Sequence, residues 1–295
     1  MAIVDTINDL WNRYDLPGSR NPAPAVAVLR LRGAIGMGGG LSRGGLSLAT
    51  LEQSIKRAFA KRVRAVCLVI NSPGGSPVQS AQIAGMIRQL SQEKKIPVFA
   101  FAEDIAASGG YWLTLAADEI YADAMSVVGS IGVITASFGF PELMAKIGIE
   151  RRVYTQGPRK GMLDPFKPEN PDDIQRLYAI QADIHRQFVA FVKSRRGERL
   201  SKDDETLFSG DVWTGERALE LGLVDGLGDL RTIVRRKYGP DVRFYNIERP
   251  ASWLQRRFGR YFPSDVGRDD ARISGWAGEL MSAVEERALW ARFGL

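Results

Sequence analysis

The sequence has one cysteine and one histidine among its 295 residues, and these shortages remove much of the usual catalytic repertoire. Cys67 alone can form no internal disulfide, so stability does not depend on an oxidising compartment. It sits in the apolar run Ala-Val-Cys-Leu-Val-Ile at 65–70, which reads as a buried strand, and apolar burial raises a thiol pKa rather than activating it. Zinc sites built on several histidines are excluded. A Ser-His-Asp triad could use only His185. That residue falls in a charged stretch of helical periodicity, Asp172 to Arg195, where a surface or half-buried helix position is its plain reading. Catalysis must then rest on other groups. There is no apolar run of 18 residues, so no membrane-spanning helix is expected. The N-terminus shows no basic n-region and no apolar h-region, so it is not read as a secretory signal. The expected location is cytoplasmic.

What is present looks globular: 45% hydrophobic and 25% charged residues, with a net charge of +6. The positive excess is spread along the chain with no long basic block, so no nucleic-acid partner is expected. Residues 1–24 read as an N-terminal arm and linker, 25–248 as one domain, and 249–295 as a helical C-terminal extension. Ala25 to Arg32 is a strand, and the Gly-rich stretch 33–45 is a loop. Residues 48–62 carry Leu51, Ile55 and Phe59 on one helical face. Then strands at 63–70 and 97–102 alternate with helices at 77–92 and 109–116, with turns at 71–76 and 103–108. A strand at 119–122 follows. Short apolar strands alternating with helices predict an α/β fold with a buried, largely parallel sheet. Further on, 141–147 is helical and 151–154 extended. A long helix spans 171–196, opened by Asn170-Pro171. A helix at 214–221 closes on Gly222, and 242–247 is a last strand.

Two βα turns could carry chemistry. In Asn71-Ser-Pro-Gly-Gly-Ser76 the paired glycines allow positive φ and close approach of the backbone, so their N–H groups can face an oxyanion; the same residues also make an ordinary tight turn. In Ala106-Ala-Ser-Gly-Gly110, Ser108 sits before a helix, either as its N-cap or as a nucleophile. In a parallel sheet both turns emerge at the carboxyl ends of strands, where α/β sites collect. The missing part is a base, and with histidine scarce, lysine is the natural substitute. A lysine of ordinary pKa is neutral in about one molecule in 2,500 at pH 7, so it must be desolvated to act. Lys160 lies in a loop with Met162, Leu163 and Phe166, but periodicity does not choose it over Lys146 or Lys167.

With these residues in view, the sequence resembles the SppA-type signal peptide peptidases (protease IV), serine peptidases of ClpP/crotonase-like fold built from repeated β-β-α and βαβ units. Five segments carry the resemblance, in the family's order: 71–76; Ala106-Ala-Ser-Gly-Gly-Tyr-Trp112; Gly129-Ser-Ile-Gly-Val-Ile134; the Lys160 loop; and 212–225. The resemblance implies a Ser/Lys dyad of Ser108 as nucleophile and Lys160 as general base. It implies Ser130 as the group that orients the lysine, and the Gly75 and Gly109 N–H groups as the oxyanion hole. It implies no cofactor, no metal, and a peptide substrate such as a remnant signal peptide. The Trp213-Thr-Gly segment then only starts a helix. Family members carry an N-terminal membrane anchor, which is not seen here. Members form homo-oligomeric rings whose sites are sometimes shared between subunits. In the tail, Trp253, Leu254, Phe258 and Phe262 alternate with Arg256, Arg257 and Arg260, which fits packing on a sister subunit or on its own domain, or contact with a membrane surface. Asp164, four residues after Lys160, is expected to point away from it or to pair with Arg159. Two rival readings use the same fold: a crotonase-like acyl-CoA enzyme, and a non-catalytic oligomeric scaffold.

Overall fold

The computed structural model describes residues 23–36, 45–60, 62–157, 159–247, 290, 291 and 293. Residues 1–22 of the arm expected at 1–24 and nearly all of the extension expected at 249–295 lie outside the described residues, as do 37–44 of the Gly-rich loop.

The centre is one sheet. β1 (Ala25–Arg32) pairs in parallel with β2 (Ala65–Ser72), and β2 with β3 (Val98–Ala107). The lower half of β3 pairs with β4 (Glu119–Ala122) and its upper end with β5 (Val127–Gly129). β6 (Val212–Thr214) joins β5 antiparallel, β7 (Gly226–Leu227) joins β4, and β8 (Arg243–Ile247) closes the far edge beside β1. The order is β6-β5-β3-β2-β1-β8. This is the α/β class with a mostly parallel sheet that the alternation of apolar runs predicts.

β2 is buried along its whole length because both faces are covered. On one face Leu29, Leu68 and Ile70 meet Leu51 and Ile55 of α1 (Leu48–Ala60) and Ile83 and Ile87 of α2 (Pro77–Lys94). On the other face Val28, Cys67 and Phe101 belong to a second cluster with Ile233 and Val234 of α8 (Leu230–Tyr238). Burial pushes the Cys67 thiol up to about 12, as befits a strand residue without reactivity. Truncating one such core leucine to alanine costs ~2–5 kcal/mol.

Between α2 and α8 come α3 (Gly109–Thr114), α4 (Pro141–Lys146), the 26-residue α5 (Pro171–Arg196), α6 (Asp204–Leu207) and α7 (Gly215–Glu220). Asn170 caps α5 by accepting from the Asp172 N–H, as its Asn-Pro start implies. No described helix is long and apolar enough to cross a membrane.

Two local expectations are corrected, and one helix appears that was not expected. The turn expected at 103–108 is strand as far as Ala107, because Ile105, Ala106 and Ala107 pair with β5. The exposed Glu103 and Asp104 only interrupt the apolar run. Residues 151–154 belong to no strand. α8 escapes the periodicity reading because Arg231, Arg235, Arg236 and Lys237 surround only two buried residues. It is fixed instead by Asp229, which accepts from the N–H groups of Arg231 and Thr232.

Candidate active site

β3 ends at Ala107 and α3 begins at Gly109, so Ser108 alone forms the corner. Its backbone lies at φ 53, ψ −121, a region that a residue with a Cβ occupies at a cost of ~1–3 kcal/mol. The surroundings impose this conformation. The Ser108 N–H donates to the Gly129 carbonyl at 2.8 Å, and its own carbonyl accepts from Trp112 N–H at 2.9 Å. Ala107, Gly109 and Gly110 are buried around it. The side chain makes no capping hydrogen bond, so Ser108 is not a helix N-cap in function. A hydroxyl raised on a strained strand-to-helix corner is the arrangement that presents a nucleophile to a cleft.

The 71–76 turn interlocks with this corner. A Cβ built on Gly74 would lie 2.8 Å from Ser108 Cβ and 2.9 Å from Gly109 N; one built on Gly109 would lie 3.4 Å from Gly75 N. Gly75 has φ 138, and a Cβ there would lie 2.1 Å from the Ile35 carbonyl oxygen. Ile35 is tied to this turn through the Gly74 carbonyl and the Ser76 N–H, both at 2.8 Å. The Gly75 N–H takes no part in those two bonds. Glycine is therefore required here by space as well as by φ.

Ser130 follows β5, also at positive φ (51), with its N–H donating to the Asp211 carbonyl at 2.6 Å. Gly129 leaves room for the Trp213 ring, which a Cβ would meet at 2.6 Å. Gly75, Ser108 and Ser130 line one cavity of ≈ 680 Å³, together with Val133, Ile134 and Phe208. One face of α5 lines the same cavity with Tyr178, Gln181, Ala182 and His185, at helical spacing. His185, read from sequence as an ordinary helix residue, is half-buried and lines this cavity, with Nε2 3.2 Å from the Ile131 carbonyl oxygen. The spacing of these four residues on α5 was the available signal, but it gains meaning only once α5 is known to line the Ser108 cavity.

Lys160 is placed differently. It is exposed and lines a separate cavity of ≈ 580 Å³ together with Arg159 and Asp164. Within one chain the structure does not bring it into the Ser108 cavity. Asp164 does pair with an arginine, but with Arg151 rather than Arg159, and it also accepts from the Phe166 N–H at 3.1 Å. The surrounding arm exposes Phe138, Leu143, Ile147, Ile149 and Tyr154, and α4 buries none of its residues.

Behind the serine corner lies a polar support. Tyr111, three residues after Ser108, is fully buried and donates its hydroxyl to the Leu223 carbonyl at 2.8 Å. Arg196, at the end of α5, donates to the Gly222 carbonyl at 2.7 Å and to Asp225 at 2.8 Å. Asp225 also accepts from the Ile120 N–H at 2.8 Å and from Arg199 at 3.2 Å. Burial opposes ionisation of Asp225, but the hydrogen bond and charge of Arg196 outweigh it and hold the carboxyl below its ordinary value.

A model of the family described as Peptidase family S49 matches residues 90–239, 150 of the 295 residues. A Brucella abortus protein named Na(+)/H(+) antiporter NhaA is 50% identical over 272 residues, covering 92% of this chain and 37% of that protein. A protease-named protein of Synechocystis sp. is 32% identical over 276 residues, 92% of each chain. The chain thus spans little more than a third of the Brucella relative and nearly all of the Synechocystis one. Among solved structures, a mutant of a membrane-bound stomatin-specific protease has a TM-score of 0.45 at 18% identity, covering 78% of this chain and 99% of that one.

Proposed function

The chain belongs to peptidase family S49, and from that premise we propose that it is a serine endopeptidase working through a Ser108/Lys160 dyad. The observation that carries the proposal is the Ser108 corner, a strained hydroxyl without a capping bond, facing a cavity it shares with Gly75 and Ser130.

In the proposed mechanism, Ser108 Oγ attacks the scissile carbonyl carbon while neutral Lys160 Nζ takes its proton. The carbonyl oxygen becomes an oxyanion, held by the N–H groups of Gly75 and Gly109, each worth roughly 2.7–4 kcal/mol to the transition state. Collapse expels the amine, which takes the proton from Lys160. Water then attacks the acyl-enzyme, giving one proton to Lys160, and the proton returns to Ser108 as the acid leaves. Ser130 orients the lysine. The apolar cavity wall of Val133, Ile134 and Phe208 suits an apolar peptide, of which a remnant signal peptide is one source.

Since Lys160 lines its own cavity, we propose that the base comes from a neighbouring copy in a homo-oligomeric ring. The exposed apolar side chains of the 138–154 arm would form the contact. The dyad is tested by serine-directed fluorophosphonate labelling mapped by mass. Adduct on Ser108 that is lost in Lys160→Ala supports it; folded protein that is not labelled at pH 8 refutes it. Sharing is tested by mixing Ser108→Ala with Lys160→Ala chains. Labelling returns if one copy supplies the serine and another the lysine, and stays absent if both must come from one chain.

A further inference from the structure

We infer that His185 is a positioning residue that clips the peptide-facing wall of the Ser108 cavity through the Ile131 carbonyl, an inference that rests on the peptidase reading above. The Ile131 carbonyl can only accept, so the His185 Nε2 at 3.2 Å must carry the hydrogen.

Ile131 itself is anchored by its side chain, which is buried in the core, but the chain beyond it is poorly tied. Residues 131–139 belong to no helix or strand, and Gly132, Val133 and Ile134 line the cavity directly after the clipped carbonyl. Ser130 has its own anchors, donating its N–H to Asp211 and accepting from the Gly132 N–H at 2.9 Å. The His185 bond thus acts on the wall beyond the serine rather than on the serine. One helical turn earlier on α5, Gln181 donates its side-chain N–H to Thr135 Oγ1 at 3.0 Å. The cavity-facing side of α5 therefore holds the wall at both ends, at Ile131 and at Thr135, with 132–134 spanning the interval. A wall fixed before binding spares a long peptide the cost of ordering it. A small reagent that meets only Ser108 gains nothing from it.

The test compares His185→Leu, which removes the donor, with His185→Gln, which keeps a side-chain N–H, in the full chain. We expect His185→Leu to raise KM for an apolar fluorogenic peptide about 3–10-fold, the loss of one neutral hydrogen bond. Turnover number and the rate of fluorophosphonate labelling at Ser108 should stay within about twofold, and His185→Gln should recover most of the KM. The exposed Thr135→Val should raise KM in the same direction, and it decides the matter if His185→Leu fails to fold. Unchanged KM in the folded variants overturns the clip, as does a parallel fall in labelling and turnover, or failure of His185→Gln to rescue. A wild-type protein that neither labels nor cleaves overturns the peptidase reading and the clip with it. A labelled, active wild type with an indifferent His185 overturns the clip alone.

Discussion

Replacing Asp225 by asparagine should destabilise the protein by about 3 kcal/mol at pH 7, and the loss should vanish in acid. The magnitude follows from burial. The Arg196 side chain is 2% exposed and faces Asp225 at 2.8 Å, so the variant leaves a guanidinium buried without its counter-charge. Breaking such a pair costs ~3–5 kcal/mol, and the lower figure applies because the Asp225 side chain keeps 18% exposure. For a chain of this size that is a fall in Tm of roughly 6–12 °C. The sign with pH is fixed by the depressed carboxyl. Its contribution is complete above the unfolded value near ~3.9 and is lost as pH falls through the lower folded value. The assay is urea unfolding of both proteins at pH 7, 5, 4 and 3. The gap should be constant from 7 to 5, shrink below ~4 and close below the folded pKa. A gap under ~1 kcal/mol at pH 7, or one undiminished at pH 3, would refute the electrostatic account. Because Tyr111 and Arg196 hold adjacent carbonyls of the 222–223 turn, the variant should also slow labelling of Ser108 near its Tm.

Gly75→Ala should abolish labelling at Ser108, since its Cβ would meet the Ile35 carbonyl at 2.1 Å in a backbone already at φ 138; full labelling with unchanged Tm would show that the turn adapts. Gly110→Ala places a Cβ 2.4 Å from the Ser72 carbonyl oxygen, backbone that has no free side-chain end to yield, and should lower Tm by several degrees in a thermal melt. Cys67 should resist iodoacetamide in the native state at pH 8 and react on unfolding in urea, because burial keeps the thiol protonated; rapid native alkylation would contradict its strand position.

Local pattern made much of this architecture legible. β1, β4 and α5 match their expected limits, since an apolar run between turn residues and an Asn-Pro start each carry their own physics. The continuation of β3 to Ala107 was not legible, because its partner β5 has only three residues and is distant in sequence. For Ser108, local rules leave both a capping role and a nucleophile open. Only the φ of the corner and its bond to Gly129, supplied from β5, show an uncapped hydroxyl. His185 looked ordinary because nothing along α5 shows what lies opposite its cavity-facing side.

The sequence by itself determined the class of fold, through the period of its apolar runs, and its single histidine excluded metal sites built on several of them. It also supplied glycines where the two turns need them. The tertiary structure alone decided that those turns interlock around Ser108, that α5 walls the cavity, and that Lys160 lies in a cavity of its own. The reason is physical: periodicity and turn chemistry act over a few residues, whereas a site is made by strands and helices far apart in the chain.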